Sequence, residues 1–230
     1  MDTTVEHIER HPVDVPFRDV PERNMARELP HWTYFEVVEV ELASGDVGYG
    51  ETMLFYSWGE TTDEDVERAR GENAADLVWD DSLGPGLQQA LFDAVGRALG
   101  VPIHALLGDQ VHERTPISWW CIDMPPEDWV SEAERAVERG YTNLKVKGRP
   151  WFDVRAQMDA LDASRPEWFS VDVDFNGTLL DAERAVPLLE ELQDYPQVSH
   201  IEGPIPQEDV AGNQRLVDHL DLPVALHYGT

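Results

Sequence analysis

The sequence predicts an α/β protein in two parts, an α+β unit followed by repeated βα units. Three observations carry this prediction. Up to residue 113, β-rich stretches precede helical ones, which is typical of an α+β unit. Over residues 114–230, five strand-like stretches alternate with four helical ones, which favours a parallel sheet. Polar residues also recur at the ends of consecutive predicted strands.

The first part is predicted to contain a hairpin and a helix. Residues 32–42 alternate in β-rich residues, and after an Ala-Ser-Gly-Asp turn the chain returns over residues 47–52. Residues 86–99 have the spacing of an amphipathic helix. Gly100 ends this helix and Pro102 prevents its continuation.

The second part is predicted to alternate strictly between strands and helices. The predicted strands cover residues 115–121, 141–147, 168–174, 198–202 and 222–226. The predicted helices cover residues 126–139, 151–163, 181–193 and 208–220. This order fits either a doubly wound sheet or a barrel.

The polar residues at the ends of the predicted strands favour the barrel over the doubly wound sheet. Lys147, Asp174 and Glu202 each end a predicted strand, 27 and 28 residues apart, which is about the length of one βα unit. In a barrel, the carboxyl ends of the strands assemble one active site. A doubly wound sheet binds its ligand at a switch point, and the sequence shows no glycine-rich phosphate loop. We therefore expect the three side chains to converge at one mouth.

Charge excludes some partners. The formal net charge is −29, with 46 acidic against 17 basic residues, so no basic stripe is present to bind nucleic acid or an anionic membrane. We interpret the acidic excess as a surface adapted to high salt, although a GC-rich genome would also favour arginine over lysine. A single cysteine, Cys121, excludes an internal disulfide. With no signal peptide and no stretch of about 18 apolar residues, we expect a soluble, cytoplasmic protein.

Only two lysines occur in the sequence, and they lie two residues apart at Lys145 and Lys147. Two such residues on a strand point to the same face. Arginine stays charged, whereas a lysine with a lowered pKa can act as a general base. Nearby Asp174 and Glu202 make an oxygen-rich site suited to Mg²⁺. We assign Lys147 as the base and Lys145 as its charged neighbour or a contact to a substrate carboxylate, and the reverse order is also open.

Six segments carry a resemblance to a known family: Gly48–Thr52, Ala90–Gly108, Lys145–Lys147, Val171–Gly177, Ile201–Pro206 and Leu222–Leu226. In this order they resemble the mandelate racemase and muconate lactonizing enzyme group of the enolase superfamily. The resemblance implies a capping domain over residues 1–113 and a modified TIM barrel of the (β/α)7β type from residue 114, incomplete here at about five strands. It implies Mg²⁺ at Asp174 and Glu202, and removal of a proton α to a carboxylate by a Lys-x-Lys lysine.

The resemblance implies a lyase (hydro-lyase) or isomerase acting on a small-molecule carboxylate, such as a sugar acid, and we expect a homo-oligomer. Residues 207–212 resemble the mandelate racemase and acid-sugar dehydratase branch. The alternatives are a muconate-type cycloisomerase or an epimerase, and a non-catalytic member with a degraded metal site. Tyr56 and Trp58 are candidate substrate contacts from the cap.

One departure from the family concerns the third metal ligand, which is usually a glutamate just after the fifth strand. Here the sequence reads His227-Tyr228. His227 is therefore a metal ligand, an acid/base group or a structural histidine, and imidazole suits Mg²⁺ less well than carboxylate does. The second departure is length, because the sequence ends after the fifth predicted strand. We expect it to be part of a longer protein.

Overall fold

A computed structural model describes residues 2–26, 28–56 and 59–227 of the chain. The contacts divide the chain into two compact units, which are described separately. The first unit runs up to Arg18 and over Ala26–Thr115. The second comprises Asp19–Met25 and the chain from Pro116 onward.

The first unit contains an antiparallel sheet of three strands, in the order β1 (Val5–Asp14), β2 (Tyr34–Leu42) and β3 (Val47–Met53). Its helices are α2 (Asp63–Ala69), α3 (Ala74–Leu77), α4 (Pro85–Leu99) and α5 (His104–Leu107), with 3-10 turns at Pro30–Thr33 and Asp81–Leu83. The predicted hairpin and the helix over residues 86–99 are confirmed. Strand β1 is missing from the sequence prediction because most of its positions are exposed and show no alternation.

The core of the first unit lies between its sheet and α4. Strand β3 passes so close to this helix that a Cβ atom on Gly48 would lie 2.1 Å from the backbone nitrogen of Ala94. Gly50 meets the backbone of Gly86 in the same way. The buried side of α4 is formed by Leu87, Ala90, Leu91, Ala94, Val95 and Ala98. Glycine on β3 therefore allows the sheet and helix backbones to touch.

The second unit is a parallel sheet whose strands follow in chain order: β4 (Trp119–Trp120), β5 (Asn143–Lys147), β6 (Ser170–Asp174), β7 (Val198–Glu202) and β8 (Val224–Ala225). The helices between them are α6 (Pro126–Glu138), α7 (Val154–Ser164), α8 (Ala182–Leu192) and α9 (Val210–His219). Neighbouring strands are consecutive in the chain throughout this sheet. In a doubly wound sheet the strand order would reverse at a switch point. The predicted barrel-type arrangement of five strands is thus confirmed.

Helix α1 (Asp19–Met25) belongs to the second unit, although it lies early in the chain. Arg23 forms an ion pair with Asp128 at the start of α6, and Nδ2 of Asn24 lies 2.7 Å from Oδ2 of the same carboxylate. The guanidinium of Arg23 and the amide of Asn24 lower the pKa of Asp128, although its burial acts in the opposite direction. The contacts of Asp128 with Arg23 and Asn24 therefore hold α1 against α6.

Several boundaries differ from the prediction. The strand predicted over residues 115–121 is reduced to Trp119–Trp120, which pair with Leu144 and Lys145 of β5. The helix predicted from residue 151 starts at Val154, because the side chain of Asp153 caps it by accepting from the amide of Ala156.

Among the described residues, no helix is both long enough and apolar enough to span a membrane.

Candidate active site

Three side chains stand level with one another at the carboxyl ends of β5, β6 and β7. Lys147 is in register with Asp174, and Asp174 is in register with Glu202. Residues in register on parallel strands point to the same face, and Lys145 shares that face because it lies two residues before Lys147. The structure thus brings together the four side chains that the sequence analysis placed at one site.

Lys147 and Asp174 form a buried ion pair. The Nζ atom of Lys147 lies 2.5 Å from Oδ2 of Asp174. Asp174 is 0% exposed and Lys147 is 8% exposed. The other oxygen of Asp174, Oδ1, accepts a hydrogen bond of 2.8 Å from the backbone amide of Asn176. A buried charge is tolerated only when it is paired, so each partner makes the burial of the other possible.

The surroundings shift the pKa values of this pair. Burial disfavours the charged form of Lys147 and lowers its pKa below the ordinary value, outweighing the opposing effect of Asp174. The charges of Lys145 and Arg149 add to this lowering. Burial alone would raise the pKa of Asp174, but the hydrogen bond and charge of Lys147, with smaller contributions from Asn176 and Lys145, bring it below its ordinary value. Asp174 therefore stays ionised, while Lys147 loses its proton more readily than an exposed lysine.

Lys145 bridges the two carboxylates of the site. Its ammonium group donates a hydrogen bond to Oε2 of Glu202 and lies 3.3 Å from Oδ2 of Asp174. Burial lowers the pKa of Lys145, but the hydrogen bond that Lys145 donates to Glu202 and the charges of Asp174 and Glu202 together raise it above its ordinary value. The two lysines therefore differ, because their surroundings raise the pKa of Lys145 and lower the pKa of Lys147.

His227 lies beside the same carboxylates. Its Nδ1 atom is 2.8 Å from Oε1 of Glu202. Potential ligand atoms of Asp174, Glu202 and His227 all lie within 4.8 Å of one another. The neighbouring Tyr228 lies outside the described residues.

The chemistry of this donor set fits a divalent cation. Carboxylate oxygens are the ligands that Mg²⁺ and Mn²⁺ prefer, and imidazole adds affinity for later transition metals such as Zn²⁺. The ammonium of Lys145, between Asp174 and Glu202, shows that the two carboxylates can share one positive charge. Asp174 and Glu202 therefore fit the cation that the resemblance implies, and His227 lies where a third ligand would complete the set.

Arg149 is a member of the site that the sequence analysis missed. Its Nη1 atom donates to the carbonyl oxygen of Asp174 at 3.2 Å, and its Nη2 donates to Oδ1 of Asn176 at 2.7 Å. The guanidinium therefore ties the end of β5 to the loop after β6. The spacing of two residues from Lys147 was an available signal, but one arginine among many in a lysine-poor sequence did not stand out.

The sequence analysis also named Tyr56 and Trp58 as candidate substrate contacts from the cap. Tyr56 belongs to the first unit, where its ring meets that of Trp32 edge-on with centroids 5.3 Å apart. Trp58 lies outside the described residues. Substrate binding by Tyr56 and Trp58 stays a prediction.

Comparison with known proteins extends these observations. Residues 128–227 match the family described as enolase C-terminal domain-like. D-galactonate dehydratase of Variovorax paradoxus (strain S110) is 30% identical over 233 residues, covering 86% of this chain and 58% of the relative. Muconate cycloisomerase 1-2 of Acinetobacter lwoffii is 27% identical, covering 97% of this chain and 64% of the relative. The chain thus spans less than two thirds of the length of these curated relatives.

Solved structures share the fold. The 2-chloromuconate cycloisomerase from Rhodococcus opacus 1CP matches with a TM-score of 0.77 and 24% identity, covering 98% of this chain and 66% of that one. The muconate lactonizing enzyme from Pseudomonas putida matches with a TM-score of 0.74 and 22% identity, covering 97% of this chain and 65% of that one. The architecture is that of an enolase-superfamily capping domain with part of a TIM barrel. The chain belongs to the enolase superfamily, within the group of mandelate racemase and muconate lactonizing enzyme.

Proposed function

We propose that the protein removes the proton α to the carboxylate of a small acid and forms an enolate. The observation that carries the proposal is the buried contact of Lys147 with Asp174 at 2.5 Å, level with Glu202 on the next strand. This arrangement puts a lysine of lowered pKa directly beside Asp174, one of two carboxylates suited to a divalent cation.

Lys147 is the proposed general base. In its unprotonated form, Nζ has a lone pair that accepts the α-proton of the substrate. The resulting ammonium is stabilised by Asp174, which stays ionised beside it. Lys145, held in its charged form by Glu202, supplies positive charge for the substrate carboxylate. The different environments of the two lysines thus favour this order over its reverse.

We assign Mg²⁺ to Asp174 and Glu202, with His227 as a further ligand. When bound, the cation stabilises the negative charge that develops on the substrate carboxylate as the α-proton leaves. The protein's own contribution is to hold the two carboxylates level on neighbouring strands and to keep Asp174 out of water.

The favoured outcome for the enolate is loss of water, as in an acid-sugar dehydratase. The D-galactonate dehydratase of Variovorax paradoxus supports this choice, and it makes a sugar acid the proposed substrate. We further propose that residues 1–113 form the capping domain and residues 114–230 the barrel part of a cytoplasmic homo-oligomer. Its net charge of −29 fits a salt-adapted surface.

Two observations favour alternative functions. Muconate cycloisomerase 1-2 of Acinetobacter lwoffii is matched over 97% of this chain, which supports a cycloisomerase or epimerase on the same platform. The sequence His227-Tyr228, where the family usually has a glutamate, favours a non-catalytic member with a degraded metal site.

Hydrogen–deuterium exchange tests the proposed function. The full chain is incubated with D-galactonate and Mg²⁺ in D₂O, and NMR follows exchange at the α-carbon and loss of water. We expect exchange with the parent, and a rate lower by at least about 10²-fold with Lys147→Ala. Arg155→Ala, which removes a cation from an exposed ion pair with Glu191, is the matched control. Exchange on muconate-type acids without loss of water would favour the cycloisomerase, and exchange on none of these acids would favour the non-catalytic alternative.

A further inference from the structure

Strand β7 carries one more residue than β6 over the stretch where the two strands pair. Val171 is in register with Val198, but the next residue, Asp172, is in register with His200. Ser199 is therefore the extra residue of a β-bulge. Bulges are uncommon between parallel strands, and they change the direction in which the following side chains point.

The bulge decides which face Glu202 occupies. Val198 and Ile201 are 5% and 0% exposed, and Ile201 is level with Val173 on the buried face of the sheet. Beyond the bulge, Glu202 is level with Asp174 on the opposite face. In a regular strand, Val198 and the residue four positions later share a face, so Glu202 would point away from Asp174. The extra residue brings Glu202 into the site.

The carboxylate of Asp172 holds both bulged residues. Its Oδ1 atom accepts hydrogen bonds from Oγ of Ser199 and, at 3.1 Å, from Nδ2 of Asn143. The Nδ1 atom of His200 lies 3.0 Å from the same oxygen. Asp172 is 7% exposed, and a buried carboxylate needs such partners. One buried oxygen on β6 thus anchors Ser199 and His200 of β7.

We propose that Asp172 is a positioning residue that maintains the bulge in β7 and thereby keeps Glu202 beside Asp174. It acts through β7, because its carboxylate contacts Ser199 and His200 on that strand, just before the strand reaches Glu202. The inference rests on the proposed function only in so far as Asp174 and Glu202 bind a cation.

Three variants of the full chain test this role. Asp172→Leu keeps the branching at Cγ, although it is larger, and cannot accept a hydrogen bond, whereas Asp172→Asn keeps an acceptor oxygen at Oδ1. The matched control is Asp159→Leu, because Asp159 lies on α7 and accepts an exposed hydrogen bond of 2.7 Å from Tyr195. The affinity for Mn²⁺ is measured by electron paramagnetic resonance at fixed salt, and a crystal structure of Asp172→Leu shows the register of β7.

We expect Asp172→Leu to weaken Mn²⁺ binding about 10–100-fold, as is usual for groups that orient metal ligands. Asp172→Asn should restore most of the affinity, and the control should match the parent. The crystal structure of Asp172→Leu should show β6 and β7 pairing without the extra residue. If that variant does not fold, Ser199→Ala, which removes one of the donors, should still weaken Mn²⁺ binding severalfold.

Two results would overturn the role of Asp172. One is a folded Asp172→Leu protein with parental Mn²⁺ affinity, and the other is a crystal structure in which Glu202 still lies level with Asp174. If the Asp172→Leu protein cannot be obtained, parental affinity of Ser199→Ala has the same consequence. Failure of the parent itself to bind Mn²⁺ would instead contradict the proposed function, and the crystal structure would then decide the role of Asp172.

Discussion

Replacing Lys147 by methionine removes the ammonium group from the candidate site while keeping most of the side chain's length and apolar surface. The change has two consequences that can be measured separately. The α-proton loses its proposed acceptor, and Asp174, which is 0% exposed, loses its nearest cation.

The size of both effects follows from the contacts. Removing one partner of a buried ion pair costs about 3–5 kcal/mol. Asp174 would keep Nζ of Lys145 at 3.3 Å and the amide of Asn176 at 2.8 Å, so we expect the lower end, about 3 kcal/mol. For a chain of this length, that corresponds to a decrease in Tm of about 6–12 °C. Loss of a general base should slow α-proton exchange by about 10²–10⁴-fold.

Urea unfolding and calorimetry give the stability of Lys147→Met, and NMR in D₂O gives its exchange rate at a temperature where it is folded. Arg155→Met is the control, because its exposed ion pair with Glu191 contributes no more than about 1 kcal/mol. If Lys147→Met had the same free energy of unfolding as the parent, the stabilising role of the buried Lys147–Asp174 pair would be contradicted. If the variant exchanged the α-proton as fast as the parent, Lys147 would not be the base.

Three further predictions concern other parts of the chain. Asp128→Asn should lower the free energy of unfolding by about 1 kcal/mol at pH 7, because the native pKa of Asp128 is lowered, chiefly by the hydrogen bond from Arg23. That contribution is present above the unfolded-state pKa of about 4 and is lost as the pH falls through the native value, so urea midpoints of parent and variant should converge in acid; a constant difference would contradict this. Gly48→Ala should cost about 3 kcal/mol or more in urea unfolding, because its Cβ would lie 2.1 Å from a backbone nitrogen of α4, and an unchanged midpoint would contradict that packing. His227→Ala should weaken Zn²⁺ binding, measured by calorimetry, about tenfold and Mg²⁺ binding less, because imidazole suits Zn²⁺ better than Mg²⁺. Equal affinities in parent and variant would exclude His227 as a ligand.

Local chemistry explains which elements were predicted. The helix ending at Gly100 was found because this glycine adopts a left-handed conformation, with φ of 69°, that stops α4. The helix predicted over residues 181–193 is correct within one residue at each end, because Asp181 caps its first turn. The convergence of Lys147, Asp174 and Glu202 was also predictable, since all three end parallel strands.

Other features depend on contacts between distant segments. The first barrel strand was predicted over residues 115–121, but it is confined to Trp119–Trp120, followed by a hydrogen bond from the amide of Cys121 to the carbonyl oxygen of Lys145 on β5. The position of His227 beside Glu202 depends on where β8 is placed relative to β7. Neither segment's own sequence contains this information.

The sequence by itself determined the two-part architecture, the family and the presence of both lysines on one face of a strand, because helix caps and the two-residue period of a strand are local properties. Only the tertiary structure decided how those lysines differ. Lys147 is buried against Asp174 and its pKa falls, whereas Lys145 reaches Glu202 and its pKa rises. Solvation and the distance to a charge on another strand set these pKa values, and both arise only when the strands pair. The bulge at Ser199 likewise exists only between β6 and β7, where it turns Glu202 toward Asp174.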